Sequence, residues 1–296
     1  MAFNECLADP DGKINWSINH QTNKSIQMKY ATISWTFGLD DTNKLFESVK
    51  TAGFDSLQYC GDHKVYNPTE VRALAQKHSI QLLAYDPFNC KPKTAEDATL
   101  EKCIQWYIEI MDFAETLGVP MVTIQGLSNW TLNQTNYESA IQFLIRAVSK
   151  LDKEAQKRQL LMTYESCNHY EVPWVHTADE LLRIKQESGA TNLQFVLDSF
   201  HMNINEKDPK SAITSIGKDL YSYHVSDSGR GGYGSGQVDF TSQKKALDQI
   251  NFEGPIFFEI VLPDIRPYKF PMTKEQMKLL IETYRNSISK WESNCD

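Results

Sequence analysis

No Cys-x-x-Cys pair occurs in this 296-residue chain, and its six cysteines (Cys6, Cys60, Cys90, Cys103, Cys167 and Cys295) are scattered. In a chain of this length that pattern argues for free thiols in a reducing compartment, not for a disulfide framework. No apolar run approaches the ~20 residues of a membrane span, and the N-terminus lacks a charged-then-apolar export pattern. A basic stripe is missing too: 30 Lys and Arg stand against 38 Asp and Glu, a net charge of −8. Phosphate backbones call for the opposite balance. Linkers and low-complexity tracts are absent. These gaps lead us to expect a cytoplasmic protein that acts on a small neutral molecule, with neither nucleic acid nor a membrane as partner.

A hydrophobic fraction of 41% can fill one large core. Residues 1–27 are polar, with Asp-Pro-Asp-Gly near the start, and read as an N-terminal extension that either covers the bottom of the fold or is loosely ordered. From Met28 to the end the chain alternates. Strands are expected at Lys29–Trp35, Ser56–Cys60, Ile80–Tyr85, Val119–Gln125, Gln159–Glu165, Leu193–Asp198, Leu220–His224 and Pro255–Val261. Helices fall between them, at Asp41–Ala52, Pro68–His78, Thr94–Leu117, Tyr137–Lys157, Thr177–Ser188, Pro209–Gly217, Thr241–Ile250 and Thr273–Trp291. Gly53 and Gly118 sit where helices end. Thr177 and Glu180 have capping-box spacing. Eight strand–helix units predict an α/β fold, a single-domain (β/α)8 TIM barrel over 28–296.

Four of these strands end alike. Leu-Leu-Met-Thr-Tyr-Glu closes on Glu165, Gln-Phe-Val-Leu-Asp on Asp198, Leu-Tyr-Ser-Tyr-His on His224 and Ile-Phe-Phe-Glu on Glu259, at intervals of 33, 26 and 35 residues. A parallel barrel strand delivers its last side chain to the C-terminal rim, where sites are built. Three carboxylates and one imidazole make a hard set suited to one divalent ion, Mn or Mg, with Co or Zn as further options. Each residue has a bland reading as well. Glu165 could be a solvated loop residue, and Asp198 could simply cap the helix that follows it. Four such endings on consecutive strands favour the metal site.

After His224 runs Asp227-Ser-Gly-Arg-Gly-Gly-Tyr-Gly-Ser-Gly, whose five glycines require sharp turns or close approach. A Walker-type phosphate loop is excluded, since no Lys-Ser/Thr and helix start follow. Arg230 is the candidate working residue there, its guanidinium suited to sugar oxygens. His63 also falls at the rim, where a plain loop histidine is an equal reading. Trp35, Phe37, Phe88 and Trp130 follow strands one, three and four, as the walls of a sugar pocket would, although core packing uses the same residue types.

These residues resemble the xylose-isomerase-like barrel superfamily, and within it the ketose 3-epimerases of the D-tagatose and D-psicose 3-epimerase group. The likeness covers Met28–Trp291 in architecture and is specific over Tyr164–Glu259. Leu-Asp-Ser-Phe-His-Met-Asn-Ile-Asn-Glu, Leu197–Glu206, is similar to that group's sixth-strand motif. Glu165, Asn168 and Glu171 follow its Glu-x-x-Asn-x-x-Glu segment, and Arg230 follows His224 at the expected six residues. The resemblance implies a metal held by Glu165, Asp198, His224 and Glu259. It also implies that Glu165 and Glu259 are the acid–base pair that inverts C3 of a free ketose through a metal-stabilised cis-enediolate. Glu171, His201 and Arg230 would hold the O1–O2 end, and the relatives' habit implies a homo-oligomer, a dimer or tetramer. His169 stands where the group usually has Arg, and Asn205 where it usually has an acidic residue. Rival readings on the same barrel are an aldose–ketose isomerase, an inosose-type dehydratase and a non-catalytic sugar- or metal-binding barrel. The endonuclease branch would require more metal ligands and a basic face.

Overall fold

The computed structural model describes residues 30–265 and 269–293. The expected extension at 1–27 lies outside the described residues, as do Lys29, Cys6 and Cys295. Eight parallel strands close a barrel in sequence order. They are β1 Tyr30–Ile33, β2 Ser56–Gly61, β3 Gln81–Pro87, β4 Met121–Thr123, β5 Leu161–Glu165, β6 Leu193–Asp198, β7 Leu220–Val225 and β8 Ile256–Phe258. The helices are α1 Thr42–Ala52, α2 Pro68–Lys77, α3 Leu100–Leu117, α4 Tyr137–Lys157, α5 Ala178–Ser188, α6 Ser199–Asn205, α7 Pro209–Ile216, α8 Phe240–Gln249 and α9 Lys274–Ser293. Among the described residues, no helix is long and apolar enough to cross a membrane.

Helix ends follow the local chemistry. Asp41 caps α1 through Lys44 N, and Gly53 closes it in the left-handed region. The capping box at Thr177 and Glu180 opens α5. Two expectations need correction. α3 begins at Leu100, because Asp97 hydrogen-bonds Thr94 and Thr99 is the true cap of the helix. α6 was foreseen only in the capping reading of Asp198, which caps it directly off β6, because its seven residues are too few to show a helical apolar period.

Side chains alternate between two cores. Ala31, Ile33, Cys60, Leu83 and Phe257 fill the barrel interior, while a much larger cluster joins the outer strand faces to the helices. Tyr284 of α9, for example, stacks on Phe37 and meets Phe54 edge-on. Burying each such side chain is worth about 1.5–3 kcal/mol. Phe37 is fully buried there, so it is a core residue and not a pocket wall. Between β2 and β3 the pairing steps from Leu57–Leu82 to Gln58–Ala84. Leu83 is thus an extra residue, and inward and outward positions exchange beyond it.

Candidate metal centre

Glu165 ends β5, Asp198 ends β6, His224 lies at the end of β7, and Glu259 directly follows β8. The Glu259 backbone still belongs to the ladder, its N–H donating to Val225 O at 3.1 Å. All four side chains are buried. One donor atom from each lies within 4.8 Å of every other. This rim is the carboxyl end of a parallel barrel, as the strand endings predicted.

Two observations fit this set to a cation. Glu165 Oε1 and Asp198 Oδ2 are buried without any hydrogen-bond partner, an expensive condition for carboxylate oxygens unless a cation or proton meets them. The electrostatics agree. Burial, followed by the charges of Glu259 and Asp198, pushes the Glu165 carboxyl well above its usual range. Asp198 is raised likewise by burial and by Glu259. Glu259 goes the other way: burial opposes its ionisation, yet Arg230 and then His224 hold it well below the usual carboxylate range. Three carboxylates gathered out of water around one imidazole form a charge deficit that a divalent ion would neutralise.

The capping reading of Asp198 is realised, and it leaves one carboxylate oxygen for the metal reading. Its Oδ1 accepts from Phe200 N at 2.7 Å, which caps α6, and from Ser226 Oγ at 2.8 Å. Its Oδ2 stays free for the centre. Glu259 is similarly fixed, its Oε1 accepting from Arg230 at 2.7 Å and from Trp35 Nε1 at 3.0 Å. Glu259 Oε2 lies 3.1 Å from His224 Nδ1.

The three expected substrate residues gather beside the ring. Arg230 forks between Glu171 Oε1 and Glu259 Oε1, both at 2.7 Å. Its guanidinium lies 5.4 Å from the Trp35 ring centroid and 4.9 Å from that of Phe200, within cation–π reach of both. His201 Nδ1 accepts from the Asn168 backbone N–H at 3.2 Å. Its Nε2 lies 3.4 Å from Arg230 Nη2 and 3.8 Å from Glu165 Oε1. Burial and Arg230 lower the His201 pKa well below the usual histidine value, which keeps the ring neutral. His169 and Asn205, the two departures from the epimerase pattern, meet each other: Asn205 Oδ1 accepts from His169 N at 3.2 Å.

The glycine loop packs on the protein itself. A Cβ on Gly232 would lie 2.5 Å from Thr283 Cγ2 of α9, and one on Gly236 would lie 2.3 Å from Ser228 Oγ. Arg230 takes a left-handed backbone, φ 57°, at the turn. Of the other sequence candidates, Trp35 reaches the ring, while His63, Trp130 and Phe88, like Phe37 in the core, do not. His63 points to Asp62 and Glu109, against Trp106, and Trp130 lines a surface pocket with Trp106 and Lys91. Phe88 is exposed. Residues that the sequence reading did not single out are Phe200, Ser226 and Asp86. Asp86 is next to last in β3 after an apolar run, but the extra residue at Leu83 hides from alternation which way it points.

A match to the xylose isomerase-like TIM barrel family covers residues 46–283. A ketose 3-epimerase of Arthrobacter globiformis is 35% identical over 40% of this chain and 43% of its own. A D-psicose 3-epimerase of Enterocloster bolteae is 25% identical over 79% of this chain and 80% of its own. Among solved structures, a D-psicose 3-epimerase of Clostridium cellulolyticum H10, described with D-tagatose, superimposes with a TM-score of 0.75 at 18% identity. That superposition covers 91% of this chain and 100% of the other, and it shows the fold. Barrel, rim geometry and family match converge: the chain belongs to the xylose isomerase-like TIM-barrel family, and the relatives named here are isomerase-class sugar epimerases.

Proposed function

We propose that this protein is a divalent-metal-dependent epimerase that inverts C3 of a free ketose. The observation that carries this reading is the pair of buried carboxylates Glu165 and Glu259 facing one cation-sized space, beside a fork of Arg230, Glu171 and His201. Glu165, Asp198, His224 and Glu259 would hold the ion, Mn or Mg by donor chemistry. When bound, it supplies positive charge against the oxyanion that develops when the proton beside a ketone is removed.

The chain's own residues account for the rest. Glu259, kept ionised by Arg230, removes the C3 proton from one face. Glu165 returns a proton on the other, so the substrate need not turn over. Acid–base catalysis of this kind contributes about 10²- to 10⁴-fold. Neutral His201 and Arg230 hydrogen-bond the O1–O2 end. Glu171 and Trp35 hold Arg230 and Glu259 in position. The names of the relatives support a 3-epimerase over its rivals on the same pair.

Incubation of the Mn-loaded protein in D2O with D-fructose, D-tagatose, D-psicose and L-ribulose tests the proposal by NMR. Deuterium at C3 together with the C3 epimer is expected. Deuterium at C1 would indicate aldose–ketose isomerisation, and water loss a dehydratase. Bound sugar with no exchange would leave a binding barrel.

A further inference from the structure

Opposite the ring, β3 and β4 end in a second polar group. Asp86 pairs in register with Cys60 of β2 and so points into the barrel. Its Oδ1 accepts from Thr123 Oγ1 at 2.6 Å and from Gln125 Nε2 at 3.1 Å. Those two donors fix the carboxylate. Its Oδ2 meets the Cys60 thiol at 3.7 Å, a weak donor. The neighbouring Gln125 Oε1 is buried with no partner at all. Two acceptors are therefore held in place, one on the half-buried Asp86 with only a thiol against it and one on Gln125 buried with none, and the buried one is costly unless a ligand completes it. The group shares one interior with the metal centre, since Asp86 feels the charge of Glu259, and Glu165 feels that of Asp86.

We propose that Asp86 and Gln125 form the seat for the hydroxyl groups of the substrate beyond C4, and that this seat selects a neutral polyhydroxy ketose over one phosphorylated at its far end. This rests on the epimerase reading above. The open atoms are acceptors, so they call for O–H donors, which a sugar terminus supplies. A phosphate dianion offers acceptor oxygens only and brings negative charge against a carboxylate. Proton removal at C3 does not need this seat. The seat sets which ketose is held long enough for transfer.

The test compares a hexulose, its 6-phosphate and a tetrulose that lacks C5 and C6, with Mn-loaded wild type, Asp86→Ala, Asp86→Asn and Gln125→Ala. C3 exchange in D2O gives kcat/KM, and calorimetry gives binding without turnover. In both Asp86 variants the hexulose-to-tetrulose ratio is expected to fall about 10- to 100-fold, the worth of a hydrogen bond to a charged group, with KM carrying most of the change. Gln125→Ala should give a smaller fall, and Asp86→Asn should narrow the gap between hexulose and hexulose 6-phosphate. Gln125→Ala keeps the carboxylate, so it reads the seat even where Asp86→Ala folds poorly. Equal losses for hexulose and tetrulose would overturn the seat, as would an unchanged ratio. Wild type that exchanges no ketose, tetrulose included, would overturn the epimerase reading instead, and the calorimetric ratio would then decide the seat alone.

Discussion

The two halves of the barrel rim differ in kind. Strands β5–β8 end in Glu165, Asp198, His224 and Glu259, whose charges meet at one point. The ends of β1–β4 carry Trp35 two residues past β1, Cys60 and Asp86 next to last in β2 and β3, and Thr123 at the close of β4, largely neutral groups around one carboxylate. The first half gathers three carboxylates out of water, one of them paired with Arg230. The second satisfies most of its polar atoms internally and leaves a few acceptors open. The contrast teaches a division of labour within one fold: a charged half suited to proton transfer, and a mild half suited to choosing what is transferred upon. Trp35 joins them, donating from the β1 side to Glu259 on the β8 side.

Breaking the charged half should have the largest effect. Glu259→Gln keeps the side chain's shape but removes the ionised acceptor, and C3 exchange should fall by about 10³-fold or more with the circular dichroism spectrum unchanged. Survival of exchange would move the chemistry elsewhere. Asp198→Asn separates two roles, because an amide oxygen can still accept from Phe200 N and Ser226 Oγ while the anionic Oδ2 is lost. Metal affinity should weaken by more than the ~100-fold typical of an outer-shell partner, and α6 should remain folded.

Arg230→Lys sharpens the link between the halves. Lysine cannot fork to Glu171 and Glu259 while stacking on Trp35 and Phe200. The expected loss in kcat/KM is about 10- to 100-fold, read by steady-state kinetics. The smallest predicted effect concerns stability. Glu165 and Asp198 have folded pKa values raised above their unfolded ones. Their contribution is therefore fully present below the unfolded carboxylate values and lost as pH rises through the folded ones. Metal-free protein should accordingly lose stability from acid towards neutral pH on their account. Mn at about 100 times its Kd should restore about 2.7 kcal/mol and release protons, measured by calorimetry in buffers of different ionisation enthalpy.

The charged half was legible in the sequence because each of its four residues ends a short apolar run, a local signal that spacing alone reveals. α4 was legible for a similar reason: Asn136 caps it, and its apolar stripe is unbroken from end to end. The mild half was not. Leu83 adds a residue to β3 and exchanges the faces beyond it, so alternation could not say that Asp86 points inward. Trp35 and Phe37 follow the same strand two residues apart, yet one reaches Glu259 and the other stacks on Tyr284. Both contacts cross more than 200 residues of sequence, beyond any local pattern. The termini of α3 and α6 depended on side-chain caps at Thr99 and Asp198 that compete with helix periodicity.

The proposed centre is one divalent ion held by the charged half between four residues. Anomalous diffraction at the manganese edge, from crystals equilibrated with Mn²⁺, locates that ion. A single strong peak bounded by Glu165, Asp198, His224 and Glu259, lost in Asp198→Asn, is expected. A peak at Glu165, Cys167 and His201, which also cluster, or full occupancy surviving in Asp198→Asn, would contradict it.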